Sequence, residues 1–187
     1  MSKIYLITQN NKKLEAAIKV FDRYGIEIVP FSEDFKEIQA DTSLEIARDA
    51  AVKLAKKLNE PVIREDHSLF VHALGIPGPY THYIEKMMPA QKLFQLLSYF
   101  EDRTGHFEAA VVYAEPDGKT FEYVFSVPVD FSKEIKGDSP AWDNILMMKG
   151  DPRTFSEYSY EERAGFWTEG FDEVARHLSR MSKPSRF

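Results

Sequence analysis

Cysteine is absent from this 187-residue chain, which excludes disulfide scaffolds, thiolate-bound zinc, iron–sulfur clusters and thiol nucleophiles. A reducing cytoplasm is the compartment expected for such a composition. Basic charge is also in short supply: 24 Lys+Arg stand against 30 Asp+Glu, a formal net charge of -6. A general binder of nucleic-acid backbones needs a basic surface, so no nucleic-acid partner is expected, although a local basic pocket is compatible with the balance. Long apolar runs are missing as well. Residues 67–84 carry no Asp, Glu, Lys or Arg, but prolines, glycines and histidines interrupt them, which makes a poor membrane helix. That window reads as a buried strand leading into a Gly/Pro-rich loop, and no membrane partner is expected. The opening residues MSKIYLITQNNKK lack the apolar run of a signal peptide. Phosphate-loop, Rossmann and serine-hydrolase fingerprints do not occur, and the histidines lack zinc-site spacing.

What remains is an ordinary globular composition, 43% hydrophobic and 29% charged. The length supports one well-packed domain over residues 1–181, with 182–187 expected to be a flexible tail. Lys3–Thr8 reads as a strand and Gln9-Asn10-Asn11 breaks it. Leu14, Ala17, Ile18 and Phe21 then recur at helical spacing towards Tyr24, and Ile26–Val29 is a second strand. Thr42 and Glu45 fit a capping box before a helix running to Leu58. Pro61-Val62-Ile63 begins a strand that ends in Arg64-Glu65-Asp66. A helix is expected from Ala90 to Tyr99, and a long hairpin from Phe107 to Val129 around Pro116-Asp117-Gly118. Residues 137–160 read as irregular, and a last helix covers Glu169–Ser179. The alternation of strands and helices predicts an α/β fold.

Four stretches carry candidate chemistry. Thr8 to Glu15 sits at a strand–helix junction, where backbone N–H groups and Lys13 attract anions; the same residues also serve ordinary helix capping. Glu65-Asp66 can supply oxygens to Mg²⁺, or one metal ligand and one general base; surface acids are the plainer account. Glu37 is a possible third carboxylate. Gly75-Ile76-Pro77-Gly78-Pro79-Tyr80 is a shaped, rigid loop. Trp142-Asp143 can stack on a base and accept from its edge, or can be a core tryptophan beside a capping aspartate.

Taken in this order, Thr8, Asn10 and Lys13, then Glu65-Asp66-His67-Ser68-Leu69 with Ala73 through Tyr80, then Arg153-Thr154-Phe155-Ser156-Glu157, resemble the inosine triphosphate pyrophosphatase family. The resemblance spans about residues 3–178. It implies a long bent mixed β-sheet with flanking helices, forming two lobes around a central cleft, and a homodimer. It also implies Mg²⁺-dependent hydrolysis of a nucleoside triphosphate to the monophosphate and pyrophosphate. Thr8, Asn10 and Lys13 would hold phosphates, Glu37 and Asp66 would bind the metal, and Glu65 or Asp66 would orient or deprotonate the water.

The chain departs from the family's pattern at the base and at several cations. Arg48 stands where a lysine is expected on the second helix, His82 at a basic position after the Gly-Pro-Tyr loop, and Arg163 at a late lysine. Pro140-Ala141-Trp142-Asp143 lacks one aromatic wall of the base site. Trp167-Thr168-Glu169 replaces a Ser-His-Arg used against the purine. Ionised glutamate accepts and cannot donate, so Glu169 is expected to favour a base bearing an exocyclic amine. The competing reading is a catalytically weak nucleotide-binding or sensing protein.

Overall fold

A computed structural model describes residues 3–33, 36–138 and 140–181. The tail expectation for residues 182–187 lies outside them. The chain divides into two compact units, one from residues 1–66, 109–125 and 164–187, the other from 67–108 and 126–163.

The first unit opens with β1 (Lys3–Ile7), α1 (Asn11–Asp22) and β2 (Glu27–Phe31). β1 pairs in parallel with β2, Lys3 opposite Glu27 through Ile7 opposite Phe31. On its other side β1 pairs in parallel with β3 (Val62–Val71), bringing Ile7 opposite Arg64. Between them lies α2 (Ser43–Leu58). Thr42 caps it as expected, accepting from the Glu45 N–H at 3.2 Å, while the Glu45 carboxylate accepts the Thr42 hydroxyl at 2.9 Å. The helix ends at Asn59, whose φ of 54° is left-handed, a conformation asparagine tolerates better than most residues.

The inner face of α2 is an alanine row. Ala47, Ala51 and Ala55 are fully buried with Leu54 against Ile7, Val62, Ala110, Val112 and Ala114. Small side chains let the helix lie close to the strands beneath it. The C-terminal helix α6 (Thr168–Met181) packs on α1, with Phe21 and Phe171 edge-to-face at 6.3 Å. Gly170 is required there, since a Cβ would stand 2.5 Å from Val111 Cγ2.

The second unit contains β4 (Ile76–Gly78), α3 (Thr81–Met87), α4 (Ala90–Leu97), β7 (Leu146–Met148) and the 3₁₀ turns Trp142–Asn144 and Phe155–Glu157. β4 pairs antiparallel with β3 and β7 pairs antiparallel with β6. The short helix α5 (Tyr160–Gly165) precedes α6. β5 (Thr104–Ala114) and β6 (Thr120–Phe131) form the predicted hairpin and, like β3, contribute residues to both units. Its turn closes with Gly118 N–H to the Glu115 carbonyl at 2.9 Å.

Among the described residues the strands form one seven-stranded mixed sheet in the order β2-β1-β3-β5-β6-β7, with β4 beside β3. The mixed α/β class is therefore as expected. The pattern of apolar residues did not predict α3, because none of its residues is buried. β7 lies inside the stretch read as irregular and has only 3 residues, too few for a period to show. No described helix is long and apolar enough to cross a membrane.

Candidate active site

Parallel pairing puts the C-terminal ends of β1 and β2 side by side and lays Arg64 against Ile7, so chain segments that leave these strands gather at one edge. Open α/β sheets bind ligands outside such strand ends. The turn after β1 is built by its own polar side chains. Thr8 Oγ1 accepts from the Asn10 N–H at 3.0 Å, and Asn10 Oδ1 accepts from the N–H groups of Lys12 at 2.9 Å and Lys13 at 3.4 Å. Asn10 is thus the N-cap of α1, and the capping account of this motif is realised in the structure. Capping does not remove its second use, because a helix N-terminus flanked by Lys12 and Lys13 still favours an anion.

Against this turn lies a cavity of about 990 Å³, whose lining includes Thr8, Asn10, Lys12, Lys13, Glu37 and Arg64. All of these belong to the first unit. Three of the predicted phosphate residues, Thr8, Asn10 and Lys13, therefore meet one predicted metal ligand, Glu37.

The pleat of β3 sorts the adjacent acids. Residues two apart share a face of a strand, so Arg64 and Asp66 lie on one side and Glu65 on the other. Glu65 is 4% exposed, and its carboxylate is in ionic contact with the Lys13 ammonium. Removal of two charges from water is tolerated here because each supplies the other's counter-charge. On the Arg64 side, the guanidinium donates to the Ile7 carbonyl at 2.9 Å and pairs with Glu37. Arg64 lines the cavity as well, and sequence reasoning did not single it out. Its signal was a cation directly after the apolar Val62-Ile63 and immediately before the acid pair.

Two further predicted residues of this unit are held elsewhere. Arg48 makes a two-pronged bond to Glu122, 2.6 Å on each arm, and borders a different cavity with Asp41 and Glu45. That bond holds the Glu122 carboxyl below its usual range. Glu169, in the first turn of α6, accepts the Tyr123 hydroxyl at 2.9 Å, which pushes the Tyr123 hydroxyl up.

The second unit holds the rest. Trp142 is 2% exposed; its Nε1–H donates to the Met88 carbonyl at 2.7 Å and its backbone N–H to Glu85 at 3.0 Å. Of its two readings, stacking on a base or sitting in the core, the second accords with this burial. Asp143 accepts from Arg163 at 2.6 Å, with the guanidinium 5.9 Å from the Phe155 ring. His82 is exposed on α3.

Thr154 and Glu157 form a capping box and Lys136 bonds Glu157 at 2.9 Å. Arg153 bridges Asp151 and Glu162, and its bond lowers the Asp151 pKa to about 2. His72 and His106 hydrogen-bond each other at 2.8 Å. No cluster of three or more metal-ligating side chains forms among the described residues.

Comparison with known proteins adds to this geometry. The sequence model of the Ham1 family matches residues 4–166. A dITP/XTP pyrophosphatase of Ignicoccus hospitalis is 35% identical over 182 residues, covering 95% of this chain and 97% of the relative. One of Methanopyrus kandleri is 34% identical over 163 residues, 86% of this chain and 87% of the relative. Among solved structures, a HAM1 protein from Coxiella burnetii aligns with a TM-score of 0.81 at 21% identity, covering 96% of this chain and all of that one. The Staphylococcus aureus Ham1 protein gives 0.79 at 21% identity over 97% of this chain. Those two likenesses show the fold.

Proposed function

The chain belongs to the Ham1 family and is a nucleotide pyrophosphatase; from that premise we propose that it is a Mg²⁺-dependent house-cleaning enzyme with altered base choice. It takes a nucleoside triphosphate, ribose or deoxyribose, and releases the monophosphate and pyrophosphate. The observation that carries this reading is the first-unit cavity, where the N-terminus of α1, Lys12, Lys13 and Glu37 converge. A polyphosphate is a chain of oxyanions, and this wall supplies backbone N–H groups and ammonium charges that match it.

The carboxylates fit a hard divalent cation. Glu37 is 46% exposed, and the pleat sets Asp66 on the Arg64 side of β3, the side to which Glu37 reaches. Mg²⁺ is ordinarily held by one or two carboxylates with phosphate and water completing the shell, not by an all-protein cage. When bound, the ion neutralises phosphate charge and polarises the scissile phosphoryl group. Asp66 orients water and takes its proton as the water oxygen bonds the α-phosphorus and the bond to the bridging oxygen breaks. Glu65 works indirectly: it is buried and holds Lys13 at the wall. Charge complementarity and positioning then account for most of the rate.

At the base, Glu169 offers a carboxylate already oriented by Tyr123. An acceptor there favours an exocyclic amine over a 6-keto oxygen, unlike the dITP and XTP in the relatives' names. The binding-protein alternative draws on one observation, the commitment of Arg48 to Glu122 instead of the phosphate cavity.

Pyrophosphate release with Mg²⁺, measured across standard, deaminated and amino-modified triphosphates beside Asp66→Asn, tests the scheme. Turnover by the wild type and a loss of about 10²- to 10⁴-fold in the variant are expected. Preference for inosine over adenosine and cytidine triphosphates removes the Glu169 argument, and absence of turnover with intact binding returns the alternative. A homodimer accords with α3, where Tyr83 and Met87 are 71% and 72% exposed; sedimentation tests it. Cell fractionation tests the cytoplasmic setting that goes with a nucleotide substrate.

A further inference from the structure

We propose that Arg64 is a phosphate-binding residue of the first-unit cavity, for which the Glu37 carboxylate competes with the incoming oxyanion. The inference rests on the reading of this cavity as the polyphosphate site and adds a cation to it.

Arg64 lines the cavity together with Thr8, Asn10 and Lys13. It is the register partner of Ile7, the residue directly before the Thr8 turn. Its guanidinium is anchored by the 2.9 Å bond to the Ile7 carbonyl, so the cation is fixed at the residue before the Thr8 turn, three positions ahead of the Asn10 N-cap of α1.

The ion pair of Arg64 is asymmetric. The Arg64 side chain is 14% exposed, whereas that of Glu37 is 46% exposed. Arg64 is held by the strand, and Glu37 reaches it from the coil after β2. Of the two, Glu37 is the partner that can leave. A guanidinium fork donates to carboxylate or phosphate oxygens with similar geometry. The departure of Glu37 therefore leaves an arginine aimed at the oxyanion that replaces it. The arrangement also explains a cation directly after two fully buried strand residues, Val62 and Ile63.

The test is calorimetric titration with inorganic pyrophosphate in a chelator, so that no activity of the metal-loaded enzyme is read. Arg64→Met is expected to weaken binding roughly 10- to 100-fold, the worth of hydrogen bonds to a charged group. Arg64→Lys should fall between, since it keeps the charge and loses the fork. Glu37→Gln should tighten binding several-fold in the wild-type background but not beside Arg64→Met, a coupling that simple removal of a negative charge does not produce.

Wild-type affinity in Arg64→Met, or an undiminished Glu37→Gln gain beside it, overturns the proposal. If Arg64→Met does not fold, as its melting curve would show, Arg64→Lys and Glu37→Gln still decide, and unchanged affinity in both overturns it. Lys13→Met separates the two levels. If it weakens binding while Arg64→Met does not, only the role of Arg64 falls. If neither Lys13→Met nor Arg64→Met changes the affinity, or the wild type does not bind pyrophosphate, the cavity reading falls and this inference with it.

Discussion

The two units use charge in opposite ways. At the first unit's cavity the lining cations are held by acids: Lys13 by the buried Glu65, Arg64 by Glu37, each pair holding at least one group proposed to meet substrate or metal. In the second, the charges staple loops. Arg153 ties Asp151 to Glu162, Lys136 ties Glu157, and Asp143 ties Arg163, around a tryptophan closed off from solvent. Residue type alone does not separate these uses. What separates them is whether the ion pair faces a cavity with a partner able to move, or ties one loop segment to another.

The comparison makes graded predictions. The largest effect belongs to Trp142→Ala. If the ring is core, unfolding free energy falls by about 3–5 kcal/mol, read by urea denaturation, while KM among bases shifts uniformly. A selective change in base preference with intact stability would return Trp142 to the substrate side.

Glu65→Ala comes next. Loss of one member of a mostly buried pair leaves Lys13, 19% exposed, without its counter-charge, and a destabilisation of about 3 kcal/mol is expected. Lys13→Met in the same chain should recover part of it. Additive losses would show that the two side chains do not depend on each other.

Arg48→Lys should cost less, about 1 kcal/mol or under, because the side chain is 44% exposed and solvent screens the pair. Lysine cannot reproduce the two-pronged bond to Glu122, so its carboxyl pKa should return towards the usual range, an NMR titration being the measurement. An unmoved Glu122 pKa would mean the fork contributes nothing.

The smallest effect is expected at Asp151. Its folded pKa of about 2 lies below the ordinary 3.8. The stabilisation is thus fully present above 3.8 and disappears as pH falls through the folded value. Asp151→Asn should flatten that part of the melting-temperature decline. Superimposable curves would show the staple to be dispensable.

Local rules were sufficient for much of the fold. The Thr42 cap, the turn at Gly118 and the apolar stripe of α2 act between residues within a few positions of each other, so the chain order alone displays them. The candidate site was partly legible for the same reason: the turn from Thr8 to Lys13 sits at a strand–helix junction, and Glu65 and Asp66 are adjacent in the chain, although β3 runs on through them to Val71. Other features required the assembled molecule. Helix α3 buries nothing and leaves no periodic trace. The burial of Trp142 depends on Met88 and Glu85, 54 and 57 positions away.

The pairing of Arg64 with Glu37 spans 27 positions and that of Arg48 with Glu122 spans 74. An isolated arginine in a string of letters has every carboxylate as a possible partner. Propensity, capping and periodicity are properties of neighbouring residues and are written in the amino-acid order. Which charge meets which, and which aromatic ring loses its solvent, follow only when packing brings distant elements within a few ångströms.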